Sequence, residues 1–148
     1  MGVVADSTPL IAAANRGDDF HLLARRLVAA AGRDLIVPDP VAVEVDWMLR
    51  DRGSPPIARR FLDALNSGAY RRAALTPSLF GAACAIGETH ADLDLGLVDA
   101  SVIAIAAATD SAILTFDFAH FRAAVPKRGR PWRLMIDEGE FERWRGAR

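Results

Sequence analysis

The sequence predicts an α/β fold: a three-layer α/β/α sandwich around a mostly parallel sheet of four or five strands. Two observations carry this. Short apolar runs alternate along the chain with longer segments of helical periodicity. Two of those runs also end at an aspartate, the place where open parallel sheets bind ligands.

The elements follow in order. Val3-Val4-Ala5 is a buried strand ending at Asp6. Thr8 caps a helix over residues 10–15 with Pro9 at its first position, and Gly17 stops it. Residues 18–31 place Phe20, Leu23, Leu27 and Ala31 at helical spacing and close at Gly32. Leu35-Ile36-Val37 is the second strand. Asp39-Pro40 opens a helix to about residue 52, and Pro55-Pro56 another to about residue 66. Residues 70–75 read as a strand, and Thr76-Pro77 starts a helix to about residue 90. A further helix begins near Val98 and ends at Thr109. Residues 112–115 form a strand leading to Asp117, followed by a short helix over 118–121. Residues 133–136 are a last strand, and 138–145 a charged terminal helix.

Composition narrows the function. The 148 residues fit one domain over 1–148, with no repeat or linker. Eighteen basic residues against 19 acidic ones give a net charge of −1, so any nucleic-acid contact is local. Cys84 is the only cysteine, which excludes an internal disulfide and a cysteine-based zinc cluster. No apolar run approaches the roughly 20 residues of a membrane span. The N-terminus lacks the positive region of a secretory signal, so the expected location is cytoplasmic and no membrane is involved.

Four carboxylates do not read as ordinary surface charge. Asp6 and Asp117 follow strands; Thr8 already caps the helix after Asp6, whereas Asp117 equally suits the cap of its own helix. Glu44 shares a helix face with Val41 and Met48, given about 100° per residue. A carboxylate so placed is paired with an arginine or holds a metal. Asp99 sits among Val102, Ile103 and Ala106 in the first turn of a helix, where the dipole also favours negative charge. Four such groups share one explanation: carboxylates gathered in a cleft repel unless a cation neutralises them. All-oxygen ligation selects Mg²⁺ or Mn²⁺ over Zn²⁺. His21, His90 and His120 show no metal spacing and read as surface residues. Such a cluster activates water for displacement at phosphorus, which points to a metal-dependent phosphodiesterase.

In order, these segments resemble the PIN domain and, within it, the small toxins of the VapC type. Val3-Val4-Ala5-Asp6-Ser7-Thr8 is similar to the family's first strand and its Asp-Ser/Thr turn. Val43-Glu44-Val45 resembles the glutamate-bearing helix. Asp94-Leu95-Gly96-Leu97-Val98-Asp99-Ala100-Ser101 resembles the loop and helix start with the Asp-Ala pair. Leu114-Thr115-Phe116-Asp117, followed by His120-Phe121, resembles the closing strand with its Thr-x-Asp. The resemblance implies a Mg²⁺-dependent endoribonuclease, with Mn²⁺ able to substitute. It further implies a homodimer neutralised by a cognate VapB-type antitoxin.

Carried over by residue, the acidic quartet falls on Asp6, Glu44, Asp99 and Asp117. Asp6, Asp99 and Asp117 would be the metal ligands, and Glu44 would orient or deprotonate water. Ser7, Thr8 and Thr115 would be supporting polar groups. Arg16 and Arg122 are the first candidates to hold RNA, with Arg25, Arg26, Arg128 and Arg130 behind them. The antitoxin surface is expected over the helices at residues 10–15, 20–31 and 41–49, anchored by Phe20, Leu23 and Trp47 unless these belong to the core. The competing reading is a non-catalytic PIN-like module that binds RNA or a protein. A haloacid-dehalogenase-type phosphatase would need an aspartate where Thr8 stands. A response-regulator receiver would need a lysine near a late strand end, and the only lysine is Lys127.

Overall fold

A computed structural model describes residues 1–52, 54–124 and 132–147. Its strands are β1 (Val3–Ala5), β2 (Leu35–Pro38), β3 (Arg71–Ala73) and β4 (Ala112–Leu114). Its helices are α1 (Ser7–Ala14), α2 (His21–Ala31), α3 (Asp39–Asp51), α4 (Pro55–Asn66), α5 (Pro77–Thr89), α6 (Leu97–Thr109), α7 (Phe118–Ala123) and α8 (Glu138–Gly146).

The sheet runs β3-β2-β1-β4 and every pairing is parallel. Val3 is in register with Leu35 on one side and Ala112 on the other. From β1 the chain steps outward through β2 to β3, then returns across the sheet to place β4 on the free side of β1. Parallel crossovers are right-handed. Reversing direction therefore moves the connecting helices to the opposite face, with α1 to α4 on one side and α5 and α6 on the other. That is the expected three-layer α/β/α sandwich. Apolar runs supply the core strands: Val4, Ala5, Leu35, Val37, Ile113 and Leu114 are all fully buried.

Three sequence expectations change. The fifth strand, expected at residues 133–136, is a single bridge between Ile113 and Leu134. Ile113 N donates to Arg133 O and Met135 N to Ile113 O, both at 2.8 Å. Beyond Leu134 the chain bends, burying Ile136 and letting Asp137 accept from Glu140 N at 2.7 Å as the cap of α8. Thr8 does not cap α1, which begins at Ser7. Pro9 still costs nothing, because first-turn N–H groups have no partner inside a helix. Phe20 and Leu23 are not free anchors. Leu23 is buried, and the Phe20 ring lies 4.6 Å from that of Phe141 and 6.0 Å from that of Phe116. Trp47 does stand out of the fold, at 63% exposure.

Gly32 closes α2 with φ +54°, a backbone that L side chains rarely adopt, which fits glycine at that helix end. No helix among the described residues is long and apolar enough to cross a membrane.

Candidate active site

The strand order reverses between β1 and β4, and ligand crevices in such sheets open at the carboxyl ends of the strands flanking that reversal. Asp6 leaves β1 there. Its backbone N donates to Leu114 O at 2.9 Å, fastening the two strand ends together. The Asp6 side chain is 3% exposed, and its Oδ2 accepts from Thr115 Oγ1 at 2.8 Å. The same Thr115 oxygen accepts from Asp117 N at 2.9 Å. One buried hydroxyl therefore ties the carboxylate after β1 to the backbone after β4.

Glu44 and Asp99 come from the helices. Glu44 lies half-buried on α3, one residue before the buried Val45, and its Oε2 accepts from Ser7 Oγ. Asp99 occupies the first turn of α6. Its Oδ2 lies 3.0 Å from His120 Nδ1, and Asp117 Oδ2 lies 3.1 Å from that same nitrogen. Two carboxylates are thus held against one imidazole. Asp117 also caps α7, accepting from His120 N at 3.5 Å.

Charge crowding is visible in the proton affinities. The Asp6 carboxyl is pushed up to about 7, first by burial and then by the charge of Asp99, with Glu44 adding a smaller push. Hydrogen bonds from Ser7 and Thr115 hold it back only in part. Asp99 is also raised, chiefly by burial, against the pull of His120 and with Asp117 and Glu44 pushing the same way. The four acids feel one another, although they lie far apart along the chain.

The sequence-predicted residues are distributed as follows. Asp6, Ser7, Glu44, Asp99, Thr115 and Asp117 converge. Thr8 Oγ1 accepts from Phe116 N at 3.2 Å and so steadies the loop between Thr115 and Asp117. Arg16, Arg25 and Arg26 are exposed. Arg122 pairs with Glu138 of α8. Arg128 and Arg130 lie outside the described residues. Of the histidines, His21 binds Ala12 O at 2.8 Å, whereas His120, read only as a surface residue, is 41% exposed and also stands against Asp99 and Asp117. Its place three residues after Asp117, on the next turn of a helix, was the signal available. Among the described residues, no three acidic, imidazole or thiol groups stand in a geometry that could hold one ion as they are. The hydroxyls of Ser7 and Thr115 and the His120 ring engage the carboxylates instead.

The PIN domain family model matches residues 3–126. Among solved structures, VapC20 of Mycobacterium tuberculosis, a sarcin–ricin loop cleaving toxin, matches with a TM-score of 0.76 at 22% identity, over 82% of this chain and 95% of that one. A toxin–antitoxin complex from Klebsiella pneumoniae matches at 0.63 and 16% identity, over 90% of this chain and 100% of that one. VapBC2 of Rickettsia felis, bound to a DNA fragment from its promoter, matches at 0.59 and 16%, over 82% and 92%. No curated protein sequence matches significantly. Because the matched span takes in all four strands and all four carboxylates, the chain belongs to the PIN domain family and carries the fold of VapC-type toxins.

Proposed function

We propose that the chain, as one domain over residues 1–148, is a divalent-metal-dependent endoribonuclease and the toxin of a VapBC-type pair, working in the cytoplasm. The observation that carries this reading is the convergence of Asp6, Glu44, Asp99 and Asp117 at the reversal of strand order. The donor set is all carboxylate oxygen, which fits Mg²⁺ or Mn²⁺. A buried carboxyl pushed up to about 7 by its acidic neighbours also fits, since a cation would relieve that repulsion.

Asp6, Asp99 and Asp117 would hold the ion, some of them through water, because Mg²⁺ keeps several waters. When bound, the ion activates water and offsets the charge that builds at phosphorus. Thr115 keeps Asp6 and the Asp117 backbone in register. Glu44 approaches from α3 with Oε2 held by Ser7, which suits it to take a proton from the attacking water. Arg16 and, if it leaves Glu138, Arg122 would hold the RNA backbone.

The partners follow from the same reading. Solved relatives include toxin–antitoxin complexes, which supports an antitoxin partner. A homodimer is supported by α5: Phe80, Gly81, Ala82, Cys84 and Ala85 are exposed and only Ala83 is buried. An apolar helix face of this kind suits a second copy.

Single-turnover cleavage of RNA with Mg²⁺ or Mn²⁺ tests the reading. The parent should cut, Asp99→Asn should not, and Glu44→Gln should lose about 10²–10⁴-fold in rate while keeping its fold. A parent that binds RNA but never cuts it would establish the non-catalytic module.

A further inference from the structure

Resting on the metal-dependent reading above, we propose that His120 is a positioning residue whose Nδ1–H bridges Asp99 and Asp117 and sets both carboxylates for the ion they share.

The geometry is specific. Nδ1 lies 3.0 Å from Asp99 Oδ2 and 3.1 Å from Asp117 Oδ2, so one nitrogen serves both. Both neighbours are acceptors. A ring nitrogen facing two carboxylates must carry its proton there, because a lone pair would be repelled by both oxygens. The hydrogen bond itself runs to Asp99 Oδ2, and Asp117 Oδ2 sits beside the same nitrogen at ion-pair distance. The backbone adds a second hold, since His120 N donates to Asp117 Oδ1 at 3.5 Å. Asp117 is thereby gripped on both oxygens by one residue.

The ring is itself fixed from behind. α7 is pinned by Phe118 and Phe121, which are 6% and 2% exposed, on either side of His120. That holds His120 over the first turn of α6. Asp99 Oδ1 and His120 Nε2 have no protein partner among the described residues. The bridge therefore constrains the two acids while leaving Asp99 an oxygen to offer. Groups that orient metal-binding side chains typically change affinity by about 10–100-fold when removed.

Three variants separate positioning from other roles. Asparagine hangs its Nδ2 from Cγ, as histidine hangs Nδ1, so His120→Asn retains the bridge. His120→Gln puts its nitrogen near the place of Nε2, and His120→Ala removes both. Calorimetry with Mn²⁺ should give His120→Asn an affinity close to the parent's, and weaken His120→Gln and His120→Ala by about tenfold or more. Melting curves for each variant confirm folding. Long-range ¹⁵N–¹H spectra of the metal-free parent should place a proton on Nδ1. Parent-like Mn²⁺ affinity in His120→Ala, or rescue by glutamine rather than asparagine, overturns the positioning role. A ring whose only proton sits on Nε2 overturns the bridge. A parent that binds no Mn²⁺ sinks the metal reading and the ion-setting half of this proposal with it, and the spectrum still decides the bridge.

Discussion

Replacing Asp6 with asparagine should stabilise the metal-free protein. The Asp6 carboxyl has an ordinary value of 3.8 and is pushed up to about 7 in the fold. Between those values the folded chain keeps a proton that the unfolded chain has lost. Stability is therefore undiminished below the unfolded value and falls as pH rises through the folded one. A gap of about three units at 1.36 kcal/mol each sets a ceiling of about 4 kcal/mol above pH 7. Asparagine carries no charge and its Oδ1 still accepts from Thr115, so most of that penalty disappears. Allowing for relaxation around the site, we expect a gain of about 2 kcal/mol at pH 8, or about 4–8 °C in melting temperature for a chain of this size. Near pH 4 the unfolded parent has begun to take up the proton that the folded parent keeps, and most of the gain should be gone. Calorimetric melts of both proteins in chelator at pH 4 and pH 8 measure the difference, in which titrating groups remote from the site cancel. Adding Mg²⁺ should raise the parent's melting temperature more than the variant's. A variant less stable than the parent at pH 8, or a difference independent of pH, would refute the picture of crowded buried charge.

Thr115→Val should cost about 1–3 kcal/mol in urea unfolding, because it leaves Asp117 N without its acceptor and Asp6 without its donor. Phe141→Ala should cost about 3–5 kcal/mol, measured the same way, since the ring packs 4.6 Å from Phe20, 5.0 Å from Phe116 and 5.3 Å from Phe118. Phe80→Arg, on the exposed face of α5, should convert a dimer to a monomer in size-exclusion chromatography with light scattering, while its melting temperature stays near that of the parent's monomer.

The elements with local punctuation were legible in the sequence. α4 runs over the expected residues because Pro55-Pro56 opens it, and Thr76 caps α5 by accepting from Leu79 N at 3.2 Å. The inward turn of Glu44 followed from its spacing to Val41 and Met48. What failed depended on partners far away in the chain. Thr8 looks like a cap until Phe116, from the end of the last strand, supplies a competing donor. Residues 133–136 have strand composition, but burying Ile136 and capping α8 cut the pairing to one bridge. His120 meets Asp99 only because the fold brings α7 to the first turn of α6, and no periodicity within either helix encodes that contact.

The pairing of β1 with β4 has a temporal consequence. Val3 finds Ala112 and Ala5 finds Leu114 only after about three quarters of the 148 residues exist. Parallel contacts of such large sequence separation close late and slowly. Asp6 waits for Thr115, and Asp99 waits for His120, so the carboxylates cannot be brought into order on a growing chain. During synthesis the four carboxylates stay unassembled until β4 slides in beside β1.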